Sequence, residues 1–181
     1  MLTIDLLAAY WSKPEVATNG LILLNLLGAL LLGLLVGYER SYHGRAAGMR
    51  TYGIVCMASA ALTIIGGYPG FWFGGHGGAV VMAADPTRII QGVVTGIGFL
   101  GAGTILKGET AQDVHGLTTA AGIWLTAAIG VTCGLGHEAT AVFTTGMALI
   151  VLKVMPVLER HAARTHRLAR GPDDDRGDDA A

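Results

Sequence analysis

Apolar residues along this chain are grouped into long uninterrupted segments instead of alternating with polar ones. Five such segments lie at about Leu21–Tyr38, Thr51–Gly67, Thr87–Leu106, Thr118–Leu135 and Ala139–Val157. Each has about the length that an α-helix needs to cross a bilayer core of roughly 30 Å. The pattern therefore predicts an all-α fold, a polytopic transmembrane bundle with about five membrane helices.

The third segment contains G-x-G-x-x-G at Gly96–Gly101, a pattern that also occurs in dinucleotide-binding sites. That fingerprint requires a strand before the glycines and a helix that opens at them. Here the 18 residues between Arg88 and Lys107 carry no formal charge, and the apolar run continues through the glycines. The context indicates a membrane helix and argues against a nucleotide site.

The composition agrees with a membrane protein and the charge distribution predicts its orientation. Of the 181 residues, 52% are hydrophobic and 14% charged, against about 25% charged in soluble domains. With an external N-terminus, ten of the 12 Lys and Arg residues are cytoplasmic, and only Lys13 and Arg88 lie outside. The positive-inside rule therefore predicts an external N-terminus and a cytoplasmic C-terminus. A net charge of −1 gives no argument for a nucleic acid partner.

Three regions are expected along the chain. Residues 1–19 form an N-terminal interfacial segment, in which a short helix over Leu2–Trp11 ends at Pro14. Residues 20–158 form the transmembrane domain. Residues 159–181 form a cytoplasmic tail, which is basic at first and acidic after Pro172. The basic part is expected to contact anionic headgroups, and the acidic end to be disordered.

Small residues recur every four positions on two of the predicted helices, which is typical of close helix packing in membranes. The two seams consist of Asn25, Ala29, Gly33 and Gly37, and of Gly122, Thr126, Gly130 and Gly134. On the third helix Gly92, Gly96 and Gly103 share a face that is expected to pack. A neighbouring polar face carries Arg88, Gln91, Thr95, Gly98 and Ala102.

Ionisable groups at the ends of the helices are the candidate functional groups, because charge is costly to bury in a membrane. Glu39 and Arg40 end the first helix, either as a solvated boundary pair or as a bridge to Arg50 or Asp113. Asp85 precedes a proline and is expected to cap the third helix, with cation binding as the alternative.

A metal site is only weakly indicated. Asp85, Glu39 and Asp113 are the candidate ligands, and hydrated Mg²⁺ can use as few as one or two carboxylates. The connector that contains Asp113 and His115 also reads as an ordinary polar loop. Cys56 and Cys133 are expected to be small buried hydrophobes. Because the chain contains no nucleophile elbow, zinc-protease motif or P-loop, no enzymatic activity and no cofactor are expected.

Several short motifs, in order, resemble the MgtC/SapB family of bacterial inner-membrane proteins. They are Asn25-Leu-Leu27, Gly37-Tyr-Glu-Arg40, Ala47-Gly-Met-Arg-Thr51, Arg88-Ile89, Gly96-Ile-Gly-Phe-Leu-Gly-Ala-Gly103, Gly116-Leu-Thr-Thr-Ala-Ala121, Trp124 and Gly130-Val-Thr-Cys-Gly-Leu-Gly136. Together they cover roughly residues 20 to 137. The packing or motif residues singled out on this basis are Gly33, Gly37, Glu39, Arg40, Arg50, Arg88, Gly96, Gly98, Gly101, Gly103, Thr118, Thr119, Trp124, Gly130 and Gly134.

The resemblance implies a multi-pass inner-membrane domain linked to growth under magnesium limitation and, in pathogens, to survival inside host cells. It also implies a regulatory role through the F-type ATP synthase. The family members with that role carry a further soluble C-terminal domain, which this sequence is expected to lack. We expect a non-enzymatic regulator that contacts a membrane partner or its own copies. The alternatives are a channel or transporter for Mg²⁺ or another cation, and a metal-sensing module.

Overall fold

The computed structural model describes residues 13–67, 86–107 and 114–169. The described helices are α1 (Lys13–Tyr42), α2 (Met49–Gly67), α3 (Pro86–Thr104), α4 (Leu117–Gly134) and α5 (Glu138–Ala169). Two short strands, β1 (Leu106–Lys107) and β2 (Val114–His115), form an antiparallel pair between α3 and α4. Helices thus occupy all five predicted positions, and the prediction of an all-α polytopic fold is confirmed. The orientation of the termini stays a prediction.

Four of these helices contain segments long and apolar enough to cross a membrane. The segments are Asn19–Tyr42, Met49–Gly67, Leu117–Gly134 and Glu138–Leu158. Helix α3 was predicted as the fifth span, but it is not one of these four. It is 19 residues long, yet Arg88, Gln91 and five glycines replace the long aliphatic side chains that fill the other spans. The described ranges therefore contain five helices, of which four meet the requirements for a span.

Two element boundaries differ from the sequence prediction. Helix α1 begins at Lys13, earlier than the predicted Leu21, and Pro14 lies in its first turn. Proline is tolerated there because the first N–H groups of a helix have no partner within the helix. The predicted interfacial helix at Leu2–Trp11 lies outside the described residues. Helix α5 continues to Ala169, well beyond the predicted end at Val157, with Pro156 inside it.

The chain divides into two compact units, one up to Thr145 and one from Gly146. Within the first unit, α2 and α4 are the central helices, because they pack against each other and each also packs against α1 and α3. The core is built on large buried side chains from these helices, which include Val36, Tyr52, Ile123 and Ile129. Cys56 and Cys133 are also buried, and both are free thiols.

Polar side chains in the core are satisfied inside their own helices. Thr63, Thr126 and Thr145 each donate a 2.8 Å hydrogen bond to the backbone carbonyl four residues earlier. By contrast, large apolar side chains point outward, as at Leu24 and Leu31, which are both 63% exposed. An apolar exterior around internally bonded polar groups is what hydrocarbon as the solvent requires.

The strand pair holds the end of α3 beside the start of α4. Leu106 pairs with His115, and Lys107 with Val114. Gly116 follows with φ 91°, in the left-handed region, and a Cβ there would collide with the carbonyl oxygen of Thr104. Glycine is therefore required at this turn for both conformation and space. The rest of the connector, with Asp113, lies outside the described residues.

Candidate functional site at the end of helix α1

Glycines of α1 let its last two turns lie directly against α2. A Cβ added to Gly33 would stand 2.7 Å from both the Cβ of Cys56 and the carbonyl oxygen of Tyr52. One added to Gly37 would stand 2.6 Å from the Cα of Met49. Backbone atoms form most of the facing surface, so a larger side chain has no rotamer that relieves the contact. This seam fixes where the end of α1 sits.

Glycines of α4 approach α2 closely in the same way. A Cβ at Gly122 would meet the Tyr52 hydroxyl, and one at Gly130 would meet the carbonyl oxygen of Cys56. At Gly134 the nearest atoms are the carbonyl oxygen of Ala60 and the Cβ of Thr63, both at 2.7 Å. Two glycine seams thus pack against α2, and Cys56 contacts both.

One face of α3, which carries Gly92, Gly96 and Gly103, was predicted to pack against another helix. The glycines of this helix do not pack in that way among the described residues. At Gly92, Gly96, Gly98 and Gly103 an added Cβ would find nothing within 4 Å among the described residues. Only Gly101 comes near α4, where its Cβ would lie 3.7 Å from that of Ala120. The inward face of α3 is formed by aliphatic side chains, since Val93 packs with Ala127 and Val131 of α4. No described residue therefore covers the face of Gly92 and Gly96.

A charged cluster lies buried at the C-terminal end of α1. Only 5% of Glu39 and 3% of Arg40 is exposed. Arg40 Nη1 lies 3.4 Å from Glu39 Oε2, and the half-exposed His43 places Nδ1 3.0 Å from Glu39 Oε1. The interpretation of Glu39 and Arg40 as a solvated boundary pair is therefore wrong. The pair is buried inside the protein, where an uncompensated charge costs several kcal/mol.

The alternative bridges from this cluster are not seen in the described part of the chain. Arg50 is exposed, and Glu39 has only Arg40 and His43 as ion-pair partners there. Asp113, the other proposed partner, lies outside the described residues. Two buried nitrogens of Arg40, Nε and Nη2, have no hydrogen-bond partner. One edge of the guanidinium is therefore unused.

Tyr52 connects the charged cluster to α4. Its hydroxyl donates a 3.3 Å hydrogen bond to the carbonyl oxygen of Thr119. The same hydroxyl interacts electrostatically with Arg40 and with Glu39. The cluster thus sits where α1, α2 and α4 meet. The sequence analysis did not single out Tyr52 or His43. The only available signal was their closeness in sequence to Arg50 and Glu39.

The remaining candidate residues are not gathered into this site. Arg88, Thr118 and Trp124 are exposed, whereas Thr119 is buried. The metal candidates Asp85 and Asp113 lie outside the described residues, and Glu39 is engaged by Arg40 and His43. Over the described ranges, no group of three or more His, Cys, Asp or Glu side chains is arranged to hold a metal ion.

Glycine seams, an apolar exterior and four membrane-length helices define a polytopic membrane protein. Comparison with known proteins gives the family. The profile of the MgtC family matches residues 26–161, so the chain belongs to the MgtC family. No solved structure matches it.

Three relatives illustrate the similarity. The chain is 41% identical to the "Putative magnesium transporter YhiD" of Escherichia coli (strain K12), over 71% of this chain and 57% of that protein. It is 39% identical to the "Protein MgtC" of Brucella abortus (strain 2308), over 77% and 55% respectively. For the "Protein MgtC" of Salmonella typhimurium (strain LT2) the identity is 38%, over 81% and 56%. The chain thus spans just over half the length of these relatives.

Proposed function

We propose that this protein is a non-enzymatic regulator of the bacterial inner membrane, which acts when its helix α3 contacts another membrane helix. The observation that carries the proposal is the open glycine face of α3. A Cβ added to Gly92, Gly96 or Gly103 would meet no other described residue within 4 Å, and the neighbouring Phe99 is 87% exposed.

Open glycines on a membrane helix are costly unless something packs on them. A glycine inside a helix is about 1 kcal/mol less favourable than alanine. In a bilayer it compensates for this only by letting another backbone come close, since no hydrophobic effect brings helices together there. Gly33 and Gly37 of α1 and Gly130 and Gly134 of α4 already have such neighbours within the chain. Gly92, Gly96 and Gly103 of α3 have none among the described residues, which favours a neighbour from a second protein or a second copy.

The physiological setting comes from the family. One relative carries the name "Putative magnesium transporter YhiD" and others the name "Protein MgtC", which supports a role linked to magnesium limitation. By resemblance, an F-type ATP synthase is a candidate partner, and a second copy of this chain is another. A role in virulence adaptation belongs to the same proposal. Because the matched relatives are longer, these activities of the whole protein remain proposals for this chain.

The test compares two glycine-to-leucine variants at native expression level. Gly96→Leu adds a branched side chain to the open face of α3. Gly28→Leu is the matched control on α1, where a Cβ would also find nothing within 4 Å. We expect Gly96→Leu to keep its abundance and melting temperature but to lose capture of its membrane partner and support of growth at low Mg²⁺. Gly28→Leu should keep all four properties.

The opposite result is equally clear. If Gly96→Leu captures the same partners as the wild type and supports growth equally well, the α3 face is not the contact surface. A fall in the melting temperature of Gly96→Leu would instead show that this face packs within the chain.

A cation channel or transporter is the second candidate, favoured by the name of the E. coli relative and by the buried charges at the end of α1. Its test is Mg²⁺ entry into vesicles that contain the purified protein. Flux that is lost in Glu39→Gln or Asp85→Ala would support transport. A complete absence of flux from vesicles that contain folded protein would support the regulator.

A further inference from the structure

We infer that Arg40 is the centre of a binding site for a phosphate group. The starting point is the unused edge of its guanidinium. The side chain is 4% exposed, and neither Nε nor Nη2 has a hydrogen-bond partner among the residues that the structure describes. Buried polar groups almost always have partners, and a buried charged donor without one is the most costly kind. These two donors therefore point to an acceptor that is not part of the described chain.

The two free nitrogens have the geometry of a bidentate site. Nε and Nη2 lie on the same side of the planar guanidinium, so their N–H bonds are parallel and one oxyanion can accept both. This fork matches the spacing of two oxygens on a phosphate or carboxylate, which is why arginine is favoured for such ligands. The remaining nitrogen, Nη1, faces Glu39 Oε2 at the longer distance of 3.4 Å. The edge formed by Nε and Nη2, which offers two parallel donors, is thus available to another ligand.

The position in the chain favours phosphate as the oxyanion. Arg40 lies two residues before the end of α1, at the limit of a span that runs from Asn19 to Tyr42. Lipid phosphates are concentrated at this depth of a bilayer. Two further arginines, Arg45 and Arg50, follow closely and are exposed. A basic pocket between helix ends is a recurrent headgroup site, although a free phosphate ion would satisfy the same donors.

The other charges of the cluster control access to the site. Glu39 carries the only carboxylate that faces Arg40 among the described residues, and an incoming anion has to overcome its repulsion. His43 contacts that carboxylate through Nδ1 and is 47% exposed, so it is the member of the cluster that reaches the surface. Neutralising Glu39 should therefore strengthen phosphate binding, whereas replacing Arg40 should weaken it.

The experiment uses the full chain in a neutral, phosphate-free detergent, with the melting temperature as the measure of binding. Inorganic phosphate is titrated at constant ionic strength against chloride. Dihexanoyl phosphatidylglycerol is titrated in parallel, with dihexanoylglycerol as the phosphate-free control. We expect a saturable rise with at least one phosphate probe and none with dihexanoylglycerol. A rise with the lipid alone identifies a headgroup site, and a rise with both probes identifies a site for free phosphate as well.

Three variants separate the bidentate fork from general charge attraction. Arg40→Lys keeps the charge but lacks the planar fork, so the apparent affinity should fall at least tenfold. Arg45→Lys makes the same change at an exposed arginine and should alter the affinity less than twofold. Glu39→Gln should bind phosphate several times more tightly than the wild type.

Two results would overturn the inference. The first is a wild type that shows no saturable rise with either phosphate probe. The second is equal weakening in Arg40→Lys and Arg45→Lys, which would mean diffuse attraction to a basic surface. Should Arg40→Lys not accumulate, Glu39→Gln decides the matter, and an affinity no higher than that of the wild type would contradict the site.

Discussion

Replacing Gly130 by alanine should destabilise the protein, although alanine is the better helix former. The added methyl would meet the carbonyl oxygen of Cys56, and it would stand 2.9 Å from both the carbonyl carbon of that residue and the Cβ of Ser59. Ordinary contacts begin near 3.4 Å, so α2 and α4 would have to separate. Overpacking of this kind costs about 1–3 kcal/mol. The upper half of that range applies, because the obstructing atoms are mainly backbone.

The gain in helix propensity partly offsets this cost. It amounts to about 1 kcal/mol for glycine to alanine, which leaves a net loss of about 1–2 kcal/mol. For a chain of this size the melting temperature should fall by about 2–8 °C. Gly96→Ala is the matched control, because the same methyl meets nothing within 4 Å there and only the propensity gain remains. Its melting temperature should be unchanged or slightly raised.

The assay is thermal unfolding of both variants in the same detergent, with the wild type alongside. A Gly130→Ala protein as stable as the wild type would refute the close approach of α4 to α2. Equal destabilisation of the two variants would refute the distinction between a packed seam and an open face. The second result would remove the structural basis for treating α3 as the contact helix.

Two further predictions concern the buried cluster and its neighbour. Glu39→Ala should leave Arg40 buried without a counter-charge and lower the free energy of unfolding by about 3 kcal/mol, which is measured as a lower melting temperature. Removal of the exposed Glu138 carboxylate should have little effect on the melting temperature. Tyr52→Phe should remove one buried hydrogen bond and cost about 1 kcal/mol, measured by the same unfolding assay, and Tyr38→Phe at a 58% exposed position should cost nothing measurable.

The helices could be predicted from the sequence because hydrocarbon imposes both their length and their apolar composition. The predictions were less accurate for residues whose packing depends on which helix lies opposite them. Four-residue spacing shows which small residues share a face, but not which helix lies opposite. Gly33 and Gly134 lie against α2, whereas Gly96, with similar spacing, faces no described residue.

The charged cluster shows the same limit. Glu39 and Arg40 end a helix, and a position of that kind is usually solvated, with the long side chains reaching water. Their burial depends on α2 and α4, which follow later in the chain, and no local pattern indicates that cover. Tyr52 was missed for a related reason, since its partner Thr119 lies 67 residues away.

The most direct test of the central claim is photocrosslinking from α3 in native membranes. A photoreactive residue is placed at Phe99, which is 87% exposed beside the open glycines, and in a second protein at Leu24 of α1, which is 63% exposed. We expect a discrete protein adduct from position 99, to a partner or a second copy, and only lipid adducts from position 24. Lipid adducts alone from position 99 would contradict a contact through α3.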